Sequence, residues 1–186
     1  MDINESFAKA EQILAPWTGV ATHPAPDRMD VVIPAKSLVE AVTALVEAKW
    51  GYLSAITGLD HPGSTEPASE ELRRQRLTEE IEAPSDEESR EGTLEALYHF
   101  CEGAAILTLR VRVRYTSSAL PTICNIQPAA TLYEREIMEL FGVTIVGTPN
   151  SERLLLSDDW PEGVYPLRKS FTSLKELDVV KGKETK

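Results

Sequence analysis

Apolar side chains recur along this chain at two spacings, every third or fourth residue and every second residue, and the two alternate in a way that predicts mixed helices and strands. Ile3, Phe7, Ala10 and Leu14 share one face of an opening helix. Asp2 stands at its N-cap position with Glu5 three residues on, the spacing of a capping box, and Pro16 stops it. Met29, Val31 and Ile33 alternate as a short strand before Pro34. A second helix begins near Ala35, where Leu38, Val39, Val42, Leu45 and Val46 form an apolar stripe and Lys36, Glu40, Glu47 and Lys49 are left to solvent. Tyr52 to Thr57 reads as another strand, ended by Gly58 and the turn His61-Pro62-Gly63.

Order resumes at Leu94 to Cys101, turns at Glu102-Gly103, and continues into the clearest strand of the chain. There Leu107, Leu109, Val111, Val113 and Tyr115 alternate with Thr108, Arg110, Arg112 and Arg114. One apolar and one charged face mean a sheet covered on one side. The expected fold is therefore α+β, an antiparallel or mixed sheet with helices mainly on one face. The arginine row serves for docking or salt bridging.

Residues 66 to 91 break the pattern, with ten acids against four arginines. Apolar content there is too sparse for a core, so a solvated insertion at about 62–92 is expected within a domain spanning 1–146. Residues 147–186 form a separate, extended, partner-binding segment, because Gly147, Pro149, Pro161, Gly163 and Pro166 interrupt any regular element. The Lys-rich tail from Lys181 to Lys186 is expected to fray.

At 186 residues and 42% hydrophobic, the chain can bury one sizeable core. Its formal net charge of -11 opposes nucleic acid and the anionic face of a membrane, which favours a protein partner. No apolar run reaches the roughly 20 residues of a membrane span, and the N-terminus lacks a secretory pattern, so the expected location is cytoplasmic with indirect membrane contact. Cys101 and Cys124 are the only cysteines, and His23, His61 and His99 are scattered. Neither set has the spacing of an iron-sulfur or zinc site, so no metal or other cofactor is expected in this chain.

The most informative stretch starts with a helix from Pro128 to the natural cap Gly142. Counted from Leu132, Tyr133, Ile137, Leu140 and Phe141 fall on one arc, while Arg135 and Glu139 point away. Glu136 falls inside the arc, where a carboxylate needs an arginine partner, either one of its own chain such as Arg153 or Arg168 or one supplied by a neighbouring subunit, whereas Glu134 lies outside and is free to face another subunit. Glu134 and Glu136 are no acid/base pair. Residues two apart on a helix diverge by roughly 160°. No nucleophile triad, phosphate loop or dinucleotide fingerprint is present either, so no catalytic residue is assigned.

Tyr133-Glu134-Arg135-Glu136-Ile137-Met138-Glu139-Leu140-Phe141-Gly142-Val143 resembles the signature helix of the C, or thirty-kilodalton, subunit of NADH:quinone oxidoreductase (complex I). The likeness continues through Gly147-Thr148-Pro149, Arg153, Trp160, and Tyr165-Pro166-Leu167-Arg168-Lys169. It implies a scaffold subunit of a peripheral arm, without a redox centre, packed by these residues against a hydrogenase-like large subunit and iron-sulfur subunits. Clusters, quinone or a nickel-iron centre then belong to the partners. Thr148 stands where respiratory members commonly have His, and Ser170 where they tend to have Asp. Trp160 to Pro166 is similar to variants in energy-converting hydrogenases, which supply the alternative assembly. A free-standing acidic adaptor is the reading outside redox chemistry.

Overall fold

The structure is a computed structural model that describes residues 2–63 and 91–174. Nearly all of the acidic insertion, and the Lys-rich tail, therefore lie outside the described residues.

Helix α1 (Ile3–Leu14) buries Phe7, Ala10 and Leu14, with Ser6 in the place expected for Ile3. Asp2 makes no side-chain cap, and its backbone carbonyl instead accepts the Ser6 N–H. Strands β1 (Val20–Ala25) and β2 (Arg28–Val32) follow, then a 3-10 turn at Ala35–Ser37 and helix α2 (Leu38–Glu47). β1 is invisible in the pattern because it is a largely exposed edge strand in which Val20, Ala21 and Ala25 do not alternate with the polar Thr22 and His23 and Pro24 interrupts. Strands β3 (Tyr52–Pro62), β4 (Gly92–Glu102) and β5 (Ala105–Arg114) complete a sheet of order β1-β2-β5-β4-β3. Only the β2–β5 pair is parallel, so the sheet is mixed and the α+β reading holds. A short parallel pair, β6 (Ala119–Pro121) with β7 (Thr144–Val146), flanks helix α3 (Ala130–Phe141).

The apolar face of β5 pairs in register with Leu94, Ala96, Tyr98 and Phe100 of β4, and these residues share one core with the buried faces of α1, α2 and α3. Trp50, fully buried after α2, ties that side together by donating its indole N–H to the Ser6 carbonyl at 2.9 Å. β3 runs past Gly58 rather than stopping there. A Cβ at Gly58 would stand 2.4 Å from the Phe141 ring, so this glycine is clearance for α3 rather than a turn.

The other face of the sheet is charged, but its charges are paired. Glu95, 2% exposed, accepts two hydrogen bonds from Arg110 at 2.8 and 3.0 Å and one from His61 at 2.7 Å. Arg112 stands 3.4 Å away, and Arg110 also reaches Asp30 at 3.1 Å. Burial pushes the Glu95 carboxyl up, but the Arg110 hydrogen bond, the Arg112 charge and His61 outweigh it and hold it below the usual glutamate range. The same bond holds Arg110 above its ordinary value.

Candidate functional site

α3 with its cap Gly142 and the segment after β7 contain the signature residues singled out for partner binding, and the structure brings most of them together. α3 ends at Gly142, whose φ of 72° is the left-handed cap that glycine tolerates best. Its N–H returns to the Met138 carbonyl. The buried positions of α3 are Ala130, Glu134, Ile137 and Phe141, one continuous stripe.

That stripe corrects the expected phase. Leu132, taken as its anchor, is 56% exposed, and Glu134 rather than Glu136 is the buried carboxylate. Glu134 is completely enclosed and has no arginine partner among the described residues. It accepts hydrogen bonds from the Thr122 hydroxyl at 2.7 Å, the Ile123 N–H at 2.8 Å and the Cys124 thiol at 3.1 Å. These three donors sit in the turn after β6, so Glu134 fastens that turn to α3. Burial pushes the Cys124 thiol up; hydrogen bonds from Thr122 and Thr131 oppose this, and Glu134 adds to it. Burial, then Glu134, also raises Tyr98, whose hydroxyl has no hydrogen-bond partner among the described residues. Glu136 is half-exposed and makes no hydrogen bond or ion pair with a described residue. The expected pairing of Glu136 with Arg153 or Arg168 is therefore absent, because both guanidiniums serve backbone carbonyls.

Residues 147–174 run as turns and loops, with only Leu174 carrying a helical assignment where the description ends. They hang on α3 through its charged side chains. Arg135 donates to the Glu152 and Arg153 carbonyls at 2.9 and 2.8 Å. The Glu139 carboxylate accepts the Leu154 and Leu155 N–H groups at 2.7 and 2.8 Å. Arg153 ties its own loop by donating to the Ser157 and Trp160 carbonyls at 2.6 and 2.8 Å, and the Trp160 indole N–H reaches the Val164 carbonyl at 2.8 Å.

Farther along, the Leu167 N–H meets the Leu140 carbonyl at 3.1 Å and Arg168 Nε meets the Phe141 carbonyl at 2.7 Å, satisfying the end of the helix. The Arg168 guanidinium lies 4.5 Å from the Tyr165 ring centroid and 5.1 Å from that of Tyr115. Tyr165 packs so closely on Gly142 that a Cβ there would fall 2.4 Å from its ring. Buried Asp60 of β3 accepts the Tyr115 hydroxyl and the Lys169 N–H, the latter at 2.7 Å. Burial and the Asp60 bond push the Tyr115 phenol up to about 12.

Tyr133 anchors α3 to the sheet by donating its hydroxyl to the Ser54 carbonyl at 2.9 Å. Gly147, at φ 83°, passes Thr122, whereas Pro149 is exposed and Pro166 half-buried. Asp60, Thr122 and Glu139 were missed. For Asp60 and Thr122 only the tertiary structure shows their neighbours; Glu139 was read as solvent-facing because its partners are backbone groups that sequence patterning does not reveal. Among the described residues no group of three or more His, Cys, Asp or Glu side chains could hold a metal ion, and no helix is long and apolar enough to cross a membrane.

This is a small α+β domain in which one helix uses its charged residues to hold an irregular segment of the same chain. The chain belongs to the family described as respiratory-chain NADH dehydrogenase, 30 Kd subunit, whose profile matches residues 31–176. Over 70 residues it is 43% identical to formate hydrogenlyase subunit 5 of Escherichia coli (strain K12), covering 38% of this chain and 12% of that protein. It is 40% identical to the fused C/D subunit of NADH-quinone oxidoreductase from Methylococcus capsulatus over 39% of this chain and 12% of that one. The chain thus spans a small fraction of those relatives. The C subunit of NADH-quinone oxidoreductase from Moorella thermoacetica is 28% identical over 76% of this chain and 78% of its own length. In fold, the chain matches one in the membrane-bound sulfane sulfur reductase, an archaeal respiratory membrane complex, with a TM-score of 0.67 at 24% identity, over 97% of this chain and 92% of that one. A trypsin-resistant fragment of Nqo5 matches with a TM-score of 0.55 at 18% identity, over 81% of this chain and 99% of the fragment.

Proposed function

We propose that the chain is a non-catalytic scaffold subunit in the peripheral arm of a membrane-associated NADH:quinone oxidoreductase, packed against a hydrogenase-like large subunit. The carrying observation is that the signature charges other than Glu136 are largely occupied within the fold. Glu134 is enclosed by three donors, Arg135, Glu139 and Arg153 bind main-chain groups of the segment after β7, and Arg168 of that segment binds the last carbonyl of α3. Such an arrangement presents a shaped surface rather than a reacting group. Family membership supports the setting. The C/D relatives support the partner, because there the matching part is a small share of one longer polypeptide. In this reading the chain carries no cofactor, electron-carrying clusters sit in iron-sulfur partners, and contact with the cytoplasmic side of the membrane runs through the complex.

A second assembly, the membrane-bound energy-converting hydrogenase, is favoured by the 43% identity to a formate hydrogenlyase subunit and 42% identity over 62 residues to a membrane-bound hydrogenase subunit beta of Pyrococcus furiosus. Affinity purification of the tagged full chain from native membranes tests both. Co-purified iron-sulfur subunits with a nucleotide-binding neighbour support the oxidoreductase, and a nickel-bearing large subunit supports the hydrogenase. Recovery of the chain without any iron-sulfur subunit would leave a free-standing acidic adaptor as the better description.

A further inference from the structure

Because residues two apart on a helix diverge by roughly 160°, the burial of Glu134 turns Leu132 and Glu136 to the outer pole of α3. Beside that pole, Glu139 holds Leu154 and Leu155 by their N–H groups, and these leucines are 36% and 59% exposed. This side of the helix therefore carries Leu132 and Glu136, a carboxylate that has no partner among the described residues, with exposed Leu154 and Leu155 fastened to it through Glu139. Arg135, the adjacent cation, already serves two carbonyls.

We infer that Leu132, Glu136, Leu154 and Leu155 form a docking surface for the neighbouring subunit, and that the partner presents an arginine or lysine to Glu136 within an apolar patch. The inference rests on the scaffold reading above and identifies the surface that carries it. Charge complementarity selects the occupant. A carboxylate on the same side as exposed leucines gains from a cation once a partner excludes water, and loses if covered by a purely apolar or acidic face. An anionic lipid surface would be repelled by it. The leucines are also held in place before any partner arrives, which lowers the ordering cost of association.

The test uses the tagged full chain expressed in its native cells, with Glu136→Lys and Leu155→Asp compared with Tyr52→Asp, an exposed residue at the start of β3 that is not among the four. Thermal unfolding of each full chain checks that the fold is intact. Co-purification of iron-sulfur subunits is expected to fall about tenfold or more for the first two variants and to stay within about twofold for Tyr52→Asp. If the wild-type chain recovers those subunits and Glu136→Lys and Leu155→Asp recover them equally well, this surface is not the interface, although the scaffold role stands. Should the wild-type chain recover none, the scaffold reading fails and takes this inference with it. Flotation of the purified chain with phosphatidylglycerol vesicles, or a dimer of it disrupted by Glu136→Lys, would also overturn the assignment.

Discussion

Two glutamates two residues apart show how much a single side chain's phase decides. Glu134 is fully buried and saturated by the Thr122, Ile123 and Cys124 donors, whereas Glu136 faces outward. Replacing Glu134 with Ala orphans those donors and opens a void, so stability should fall by about 3 kcal/mol in urea unfolding of the full chain. Glu136→Ala should change it by less than about 0.5 kcal/mol, as surface substitutions do. Equal losses at both positions would contradict the burial pattern. The apolar letters could not reveal this phase. Leu132 is apolar yet exposed, and a buried carboxylate reads as polar, so both errors rotate the expected face the same way. Gly142 was legible as a cap, but its second duty was not, because only the folded chain brings the Tyr165 ring against it. Gly142→Asn tolerates the positive φ but still collides with that ring. It should lift Tyr165 and Arg168 off the helix end, seen as faster trypsin cleavage after Arg168 with the main unfolding transition retained. Unchanged cleavage would mean that the ring contact is dispensable.

Among the elements, those with regular periods were readable and those without were not. β5 alternates cleanly because one face meets the core and the other meets paired charges. β1 and the β6–β7 pair escaped detection because an exposed edge and three-residue strands carry too few apolar positions to define a period. Across β4 and β5, the readable arginine row concealed its most consequential member, the buried Glu95 that gathers Arg110, Arg112 and His61. Its carboxyl lies below the usual range in the folded state, so its contribution is complete above the unfolded value and vanishes as pH falls through the folded one. Acid should therefore destabilise the sheet, and Glu95→Gln should flatten this acid limb while lowering stability at neutral pH. At the other extreme Tyr115, raised to about 12, contributes stability below the ordinary tyrosine range that is lost as pH rises toward about 12. Tyr115→Phe should remove that alkaline component. Measurements of unfolding free energy against pH check both arms, and an acid limb unchanged in Glu95→Gln would show that other carboxylates dominate.

For the whole molecule, the α+β class, the family and the segment that carries identity were all legible, since each leaves several motif pieces in order along the chain. How that segment sits was not legible, because Arg135, Glu139 and Arg168 hold it through main-chain groups that have no sequence signature. The acidic insertion offers a test of how far the described sheet stands by itself. β3 and β4 pair in register up to Pro62 and Gly92, and a Cβ at Gly92 would lie 2.6 Å from the Gly63 nitrogen. The two ends of the intervening stretch therefore lie side by side, as the ends of a hairpin do, and no long connection is needed to join them. Replacing residues 64–90 with a turn of about four Gly/Asn residues shortens the connection about sevenfold, which lowers the loop-closure cost by about 1.7 kcal/mol. Against this stands whatever the removed residues contribute. Their sparse apolar content argues that the contribution is small. The shortened chain should unfold in one cooperative transition at a Tm no lower than the parent's, by differential scanning calorimetry. Loss of that cooperative transition would show that the acidic stretch supplies part of the core.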